Sequence, residues 1–328
     1  MSIVQYNKAL ADPTRVRLAA MLLRHELNVG ELVEILGLPQ SSVSHHLRIL
    51  AEAGLAEARR DGLWAFYRAV RTGPGAAFLA ALAPFLGGGD RAGADADASE
   101  SAGEFTADLA AAARVLEARR DAARRFFDAH APDWPELLAE VLGGYDLTAR
   151  IRELMPDCGT AADLGCGTGL MLPVLHEKAA TVIGVDHSPA MLARARERLR
   201  EAAGRGGADP SWTSLRVGEL EHLPLRDAEA DCALLCMALH HLAEPAAGLA
   251  EAGRVLAPGG CLLLVDFAKH EREAMRTRHG DLWLGFSLEE LGAWCAAGGL
   301  TVADSREEPL PGGLDLRFVR IRKTPKNP

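Results

Sequence analysis

Apolar residues recur at helical spacing through roughly the first 85 positions and then, past residue 160, gather into short unbroken runs. That change of period divides the chain. Asp12-Pro13 has the chemistry of a helix start, and Val16, Ala19, Ala20 and Leu23 follow as one stripe. VGELVEILG (residues 29–37) stops at a glycine, Leu38-Pro39 makes a turn, and QSSVSHHLRILAEAG (40–54) begins again with Val43, Leu47 and Leu50 on one face. The runs LAEARR and LWAFYRAV flank Asp61-Gly62, which predicts a two-stranded wing over Leu55–Val70 with its turn at that dipeptide. An apolar helix, roughly Gly75–Leu86, closes the unit, and Phe78, Leu82 and Phe85 give it a surface suited to self-association.

The stretch from Gly87 to Ala102 has no apolar side chain larger than alanine and predicts a flexible linker. The expected organisation is a winged helix-turn-helix domain over 1–88, a linker over 89–103 and a second domain over 104–328, whose first part, 104–156, is a helical cap. In that second domain TAADL, TVIGVD, CALLC and CLLLVDF alternate with helical patterns, the order of a parallel Rossmann-like α/β sheet. The fold class is therefore multidomain, α+β followed by α/β.

Composition narrows the functions available. At 328 residues the chain can bury a core in each domain, and no window is apolar enough for a membrane span. No secretion signal opens it, so a cytoplasmic protein is expected. Six scattered cysteines without a CxxC pair predict reduced structural thiols, and no metal-ligand set is legible. The net charge of −9 lies entirely after residue 90, since residues 1–90 hold nine Lys/Arg against eight Asp/Glu. Bulk charge thus argues against non-specific nucleic-acid binding, and any DNA contact must come from a local surface.

The second helix of the helix-turn-helix offers such a surface. Gln40, Ser41, Ser42, Ser44 and His45 are short or polar groups on its first turns, suited to base edges in a major groove, and His46 and Arg48 lie further along. Arg59 and Arg60 on the wing suit phosphate or minor-groove contact. ADPTRVRLAAMLL, SSVSHHLRILAEAGL and RRDGLWAFYR resemble the first helices, recognition helix and wing of the ArsR family of winged-helix repressors. The resemblance implies a homodimer on a palindromic double-stranded DNA operator, released by an effector. Asn28 and Gly30 stand where thiol-sensing members carry cysteines, and the closing helix lacks the Asp and His used by others for zinc.

In the second domain Gly165, Gly167 and Gly169 form G-x-G-x-G after a strand, a turn that lets backbone amides approach a ligand. Asp186 ends the next strand, 21 residues past Gly165, placed for ribose hydroxyls. The glycine spacing disfavours NAD, and Asp163 stands where a carboxylate can hold the amino group of a methionine moiety. With VGELEHLPLRDAEADCALLCMALHHL and RVLAPGGCLLLVDF following, the region resembles class I S-adenosylmethionine-dependent methyltransferases. The resemblance implies that Glu219 and Leu220 meet the adenine, that Cys236 and Met237 close over the methionine end, and that Pro258-Gly259-Gly260 turns before the fifth strand; His187 stands where an apolar residue is more usual, and its ring is placed to stack on adenine. The cofactor is then S-adenosylmethionine or S-adenosylhomocysteine.

Methyl transfer also needs a group to take the acceptor's proton, and His240, His241 and His279, with Asp266 and His270, are the candidates. Two functions stay open: a repressor gated by the S-adenosyl ligand, and a small-molecule methyltransferase with an autoregulatory DNA-binding domain.

Overall fold

Asp12 caps the helix that follows it, its carboxylate accepting the amide of Arg15 at 3.1 Å with Pro13 at the first helical position. The computed structural model describes residues 3–86, 96–202 and 210–324. These fall into two units, Met1–Arg119 and Arg120–Pro328. The first begins with α1 (Ile3–Leu10) and α2 (Pro13–Leu22). A short β1 (Leu27–Asn28) then leads into α3 (Val29–Leu36). Asn28 and Glu31 close a reciprocal capping box there, so Asn28 serves as a helix cap.

Next comes α4 (Gln40–Glu52), whose Val43, Leu47 and Leu50 are buried and fix which face turns outward. The wing is β2 (Ala56–Asp61) against β3 (Trp64–Ala69), in a sheet of order β1-β3-β2. Asp61 pairs with Trp64, so the two-residue turn is Gly62-Leu63, one position later than the Asp-Gly signal predicts. Gly62 supplies the positive φ that such a turn requires, while Asp61 is fully buried inside the strand.

After α5 (Gly73–Leu86) the chain re-emerges in α6 (Ala96–His130). Most of the expected linker, from residue 87 to 95, lies outside the described residues, but from Ala96 onward the backbone is helical rather than extended. The unit boundary is also later than expected. Ala112 is completely buried in the core of the first unit, Arg17 donates to both oxygens of Asp108 at 2.6 and 2.7 Å, and Arg119 pairs with Glu31. These contacts assign residues 105–119 to the winged-helix unit.

The second unit opens with the end of α6 from Arg120 onward, followed by α7 (Trp134–Leu142) and α8 (Leu147–Leu154). Its first strands and helices are β4 (Cys158–Leu164), α9 (Leu172–His176), β5 (Ala179–Asp186), α10 (Pro189–Ala202) and β6 (Thr213–Val217). The later ones are β7 (Ala230–Cys236), α11 (Pro245–Val255), β8 (Leu256–Phe267), α12 (Ala274–His279), α13 (Leu288–Ala297), β9 (Leu300–Pro309) and β10 (Asp315–Lys323). The sheet order is β6-β5-β4-β7-β8-β10-β9, parallel except for β10, which runs antiparallel to both neighbours. The near-continuous apolar runs of β4, β5, β7 and β8 are what a sheet covered on both faces demands. The strand order reverses at β4, and in such sheets ligands bind beyond the carboxyl ends of the strands at that reversal. One local detail departs from expectation: Pro258-Gly259-Gly260 lies within β8 as an irregular, bulged start, with Gly259 at φ +77°, rather than as a turn before it. Among the described residues no helix is long and apolar enough to cross a membrane.

Candidate functional site

In the first unit the burial of Val43, Leu47 and Leu50 leaves Gln40, Ser41, Ser44, His45 and Arg48 exposed on α4, with Ser42 and His46 half-buried. Arg48 is tethered along its own helix, donating to Glu52 at 2.9 Å and lying 3.2 Å from His45 Nδ1. Arg60 is exposed on the wing, but Arg59 is not available as a phosphate contact. Alternation turns its side chain inward, where it donates to Glu26 at 2.8 Å and Asp61 at 3.1 Å and lies over the ring of Phe66. The tip instead presents Leu63, 85 % exposed, beside the partly exposed Trp64.

In the second unit the end of β4 delivers the chain into Gly165, Gly167 and Gly169, all at positive φ. The amides of Gly165 and Cys166 both donate to the carbonyl of Val185, which binds the loop to β5. A methyl group on Gly165 would come within 2.7 Å of Ala238, so this glycine also permits close backbone approach. Gly169 plays a different part from its neighbours. It faces Ala195 of α10 at packing distance and does not line the cavity.

That cavity, about 970 Å³ with its open mouth included, is lined by Asp163, Gly165, Gly167, Asp186, His187, Glu219, Leu220, Cys236 and Met237. All nine were singled out from sequence. Asp186 accepts the amide of Gly167 on Oδ2 at 2.8 Å and that of Ser188 on Oδ1 at 2.9 Å, so its carboxylate is held rigidly with lone pairs to spare. Burial, reinforced by the charge of Asp186, raises the Asp163 carboxyl to about 7, and its Oδ2 is buried without a hydrogen-bond partner. His187 Nε2 is buried and unpaired as well. Burial likewise raises Asp186 and Glu219. Two unanswered polar atoms in a glycine-lined, acid-walled cavity fit a ligand that brings both hydrogen-bonding groups and positive charge.

Several lining residues escaped the sequence reading. Glu221 and Arg120 face each other at 3.6 Å, and Arg120 also reaches Glu244 at 3.1 Å. Of the three aromatics that the sequence offers in the helical stretch before the sheet, as cavity lining or as packing, Phe127 and Trp134 line the cavity, whereas Phe126 stacks on His130.

The catalytic candidates separate. His241 lines the cavity and donates through Nδ1 to the carbonyl of Gly280 at 3.1 Å, which leaves Nε2 with the lone pair. Burial, then the neighbouring His240, holds its imidazole well below the ordinary value. His240 lies outside this cavity, with Nδ1 2.7 Å from Asp266 and Nε2 3.7 Å from Asp281. Burial alone would lower it, but the two carboxylates outweigh burial and raise it to about 8. His240, His241 and His279 line a smaller cavity of about 300 Å³, which shares Trp134, Leu138, Met237 and His241 with the larger one. Burial lowers His279. His270 lines neither cavity; its Nδ1 accepts the amide of Arg272.

Residues 12–58 match the model of the bacterial regulatory protein, arsR family, and residues 162–264 that of a methyltransferase domain. An uncharacterized HTH-type transcriptional regulator of Methanocaldococcus jannaschii is 41 % identical over 61 residues, 18 % of this chain and 68 % of that protein. The chain belongs to the arsR family. A second arm of similarity lies outside that segment: a demethylmenaquinone methyltransferase of Protochlamydia amoebophila is 30 % identical over 141 residues, 42 % of this chain and 56 % of its own. A chain from the complex of the Haloferax volcanii Trm112 methyltransferase activator with a methyltransferase superposes with a TM-score of 0.50 at 21 % identity, covering 61 % of the arsR-family chain and 97 % of its own. The chain spans about half the length of the first curated relatives it matches, 48 % and 56 %. The second unit thus has a methyltransferase fold, with the matched methyltransferase domain at its centre.

Proposed function

We propose that this arsR-family chain is a repressor that binds a palindromic double-stranded DNA operator as a homodimer and whose methyltransferase domain binds S-adenosylmethionine or S-adenosylhomocysteine as its effector. The observation that carries the reading is the pairing, on one chain, of an outward-facing recognition helix with a cavity in which Asp163 Oδ2 and His187 Nε2 await a partner. Gln40, Ser41, Ser42, Ser44 and His45 read base edges, and Arg48 and Arg60 meet phosphates. Asp163 receives the amino group of the ligand, Asp186 its ribose, and Glu219, Leu220 and His187 its adenine, with Cys236 and Met237 at the sulfur end. The exposed Ile3, Val4 and Phe85 supply apolar surface for a second copy. Regulation requires only that the ligand bind the operator-competent and operator-incompetent states unequally.

Fluorescence anisotropy of a labelled operator at fixed salt tests this, with each ligand added at micromolar concentration. A shift of roughly 5- to 150-fold in operator affinity is expected. Asp186→Ala abolishes the ligand-dependent shift measured against its own ligand-free affinity. If neither ligand moves operator affinity, the sensing role is wrong.

A second reading, methyl transfer to a small molecule, is favoured by one observation: the smaller cavity adjoins the first through Met237 and His241 and carries His240 and His279. Transfer of a labelled methyl group from S-adenosylmethionine to an acceptor, lost in His241→Ala, supports it; no labelled product across a broad acceptor panel counts against it.

A further inference from the structure

The smaller cavity holds more than an acceptor would need. His240 and His241 follow β7 in a 3-10 turn (Leu239–His241), and Asp281 follows α12 some forty residues later. The two segments are stitched together by backbone: the amides of Leu282 and Trp283 both donate to the carbonyl of His240 at 3.0 Å, and Trp283 Nε1 donates to that of Leu242 at 2.7 Å. One donor atom from each of His240, His241 and Asp281 lies within 4.8 Å of the others, and all three residues are buried. We propose that His240, His241 and Asp281 bind a divalent transition-metal ion of the zinc type. This inference stands apart from the S-adenosyl reading and would survive its failure.

Both imidazoles are already oriented as metal ligands are. His240 gives its Nδ1 to the Asp266 carboxylate and His241 gives its Nδ1 to the Gly280 carbonyl, which directs each Nε2 away from those partners. A carboxylate or carbonyl behind the ligating ring fixes its tautomer and raises its basicity. Gly280 can present that carbonyl because it sits at φ +76°, and a methyl group there would strike Phe126 at 2.7 Å. Asp266 is itself pinned, accepting the amides of Phe267 at 2.7 Å and His240 at 3.3 Å. The 3.7 Å between His240 Nε2 and Asp281 Oδ1 is beyond a hydrogen bond, yet near the roughly 3.4 Å edge of a tetrahedron with bonds of about 2.1 Å. Two imidazoles and a carboxylate form the ligand set of open zinc sites, with the fourth position left to the cavity.

The full chain, stripped with a chelator and titrated with Co2+, tests the proposal. One equivalent should produce the visible d–d bands of tetrahedral nitrogen and oxygen coordination, reversed by Zn2+. His241→Ala and Asp281→Asn remove those bands, Asp266→Asn weakens Co2+ binding roughly 10-fold or more, and His176→Ala, whose ring stacks on Trp212, leaves them intact. Circular dichroism and thermal melting report whether each variant is folded. Should a variant fail to fold, the wild-type spectrum decides alone. Absence of d–d bands, intense thiolate charge-transfer bands pointing to cysteines, or unchanged binding in folded His241→Ala and Asp281→Asn overturns the assignment.

Discussion

Replacing Asp163 by asparagine should stabilise the ligand-free second unit while weakening its ligand. Asp163 is 2 % exposed, and burial raises its carboxyl from the ordinary 3.8 to about 7. Below about pH 3.8 the group is neutral folded or unfolded and carries no penalty. As pH rises the unfolded chain ionises first, so the contribution of this group to stability falls progressively and levels off above about 7, a loss of about 4 kcal/mol. Asparagine removes that loss but introduces amide hydrogens needing partners, at a cost of about 1–3 kcal/mol. The net gain near pH 8 is roughly 1–3 kcal/mol, and each kcal/mol raises the melting temperature of a domain of this size by about 2–4 °C. S-adenosylmethionine meanwhile loses a charge-assisted hydrogen bond worth about 1.5–3 kcal/mol, or roughly 10- to 150-fold in affinity. Calorimetric scans of both proteins near pH 8, with and without the ligand, separate the two effects. A lower ligand-free melting temperature together with undiminished affinity would refute the role of Asp163 as the buried counter-charge.

Three further outcomes follow from the same structure. Ligand affinity should rise about tenfold between about pH 6 and pH 8, as Asp163 passes through about 7 and ionises to meet the ligand's amino group; a flat isothermal titration profile removes the coupling. Arg59→Ala takes the cation from beside the fully buried Asp61 and destabilises the winged-helix unit by about 3 kcal/mol by denaturant melting. Arg60→Ala leaves stability unchanged but weakens operator binding and lowers its salt slope by about 1; identical behaviour of the two variants contradicts the inward and outward assignment. Gly75→Ala drives a methyl group to 2.0 Å from the carbonyl of Gly54, so the first unit should lose about 1–3 kcal/mol while S-adenosylmethionine still binds the second.

The legible part of this protein is what repeats at short range. The Asp12 cap, the stripe of α4 and the apolar runs of β4 to β8 each follow from side-chain period and local hydrogen bonding, and all appear where the residues place them. The glycine loop and Asp186 were legible because one strand and its turn set their spacing. Pairings across long sequence separation were not. Arg59 and Arg60 are adjacent and chemically identical, and only the location of Glu26 and Asp61 shows which is committed inward. Nothing local marks residues 105–119 as part of the first unit, since Arg17 and Asp108 meet across 91 positions. His240 and Asp281 lie too far apart in sequence for any ligand-spacing rule, and Glu221 and Arg120 join the cavity from separate elements.

Asp163, Asp186, Glu219 and Glu221 together make the cavity wall strongly acidic, and this has a bearing on what the domain can distinguish. A methyl donor of the sulfonium type carries one positive charge more than the thioether left after transfer, although the two have nearly the same outline. A fully ionised carboxylate about 8 Å away separates them by roughly 2 kcal/mol at an effective dielectric constant of about 20, whereas one methyl group contributes less than about 1 kcal/mol by contact. Such a wall weighs charge above shape. On the proposed function, donor and product would compete for one seat and its occupant would reflect the quotient of their concentrations, so that a reader coupled to it would follow how far the cell's methyl supply has been spent rather than how much adenosyl compound is present.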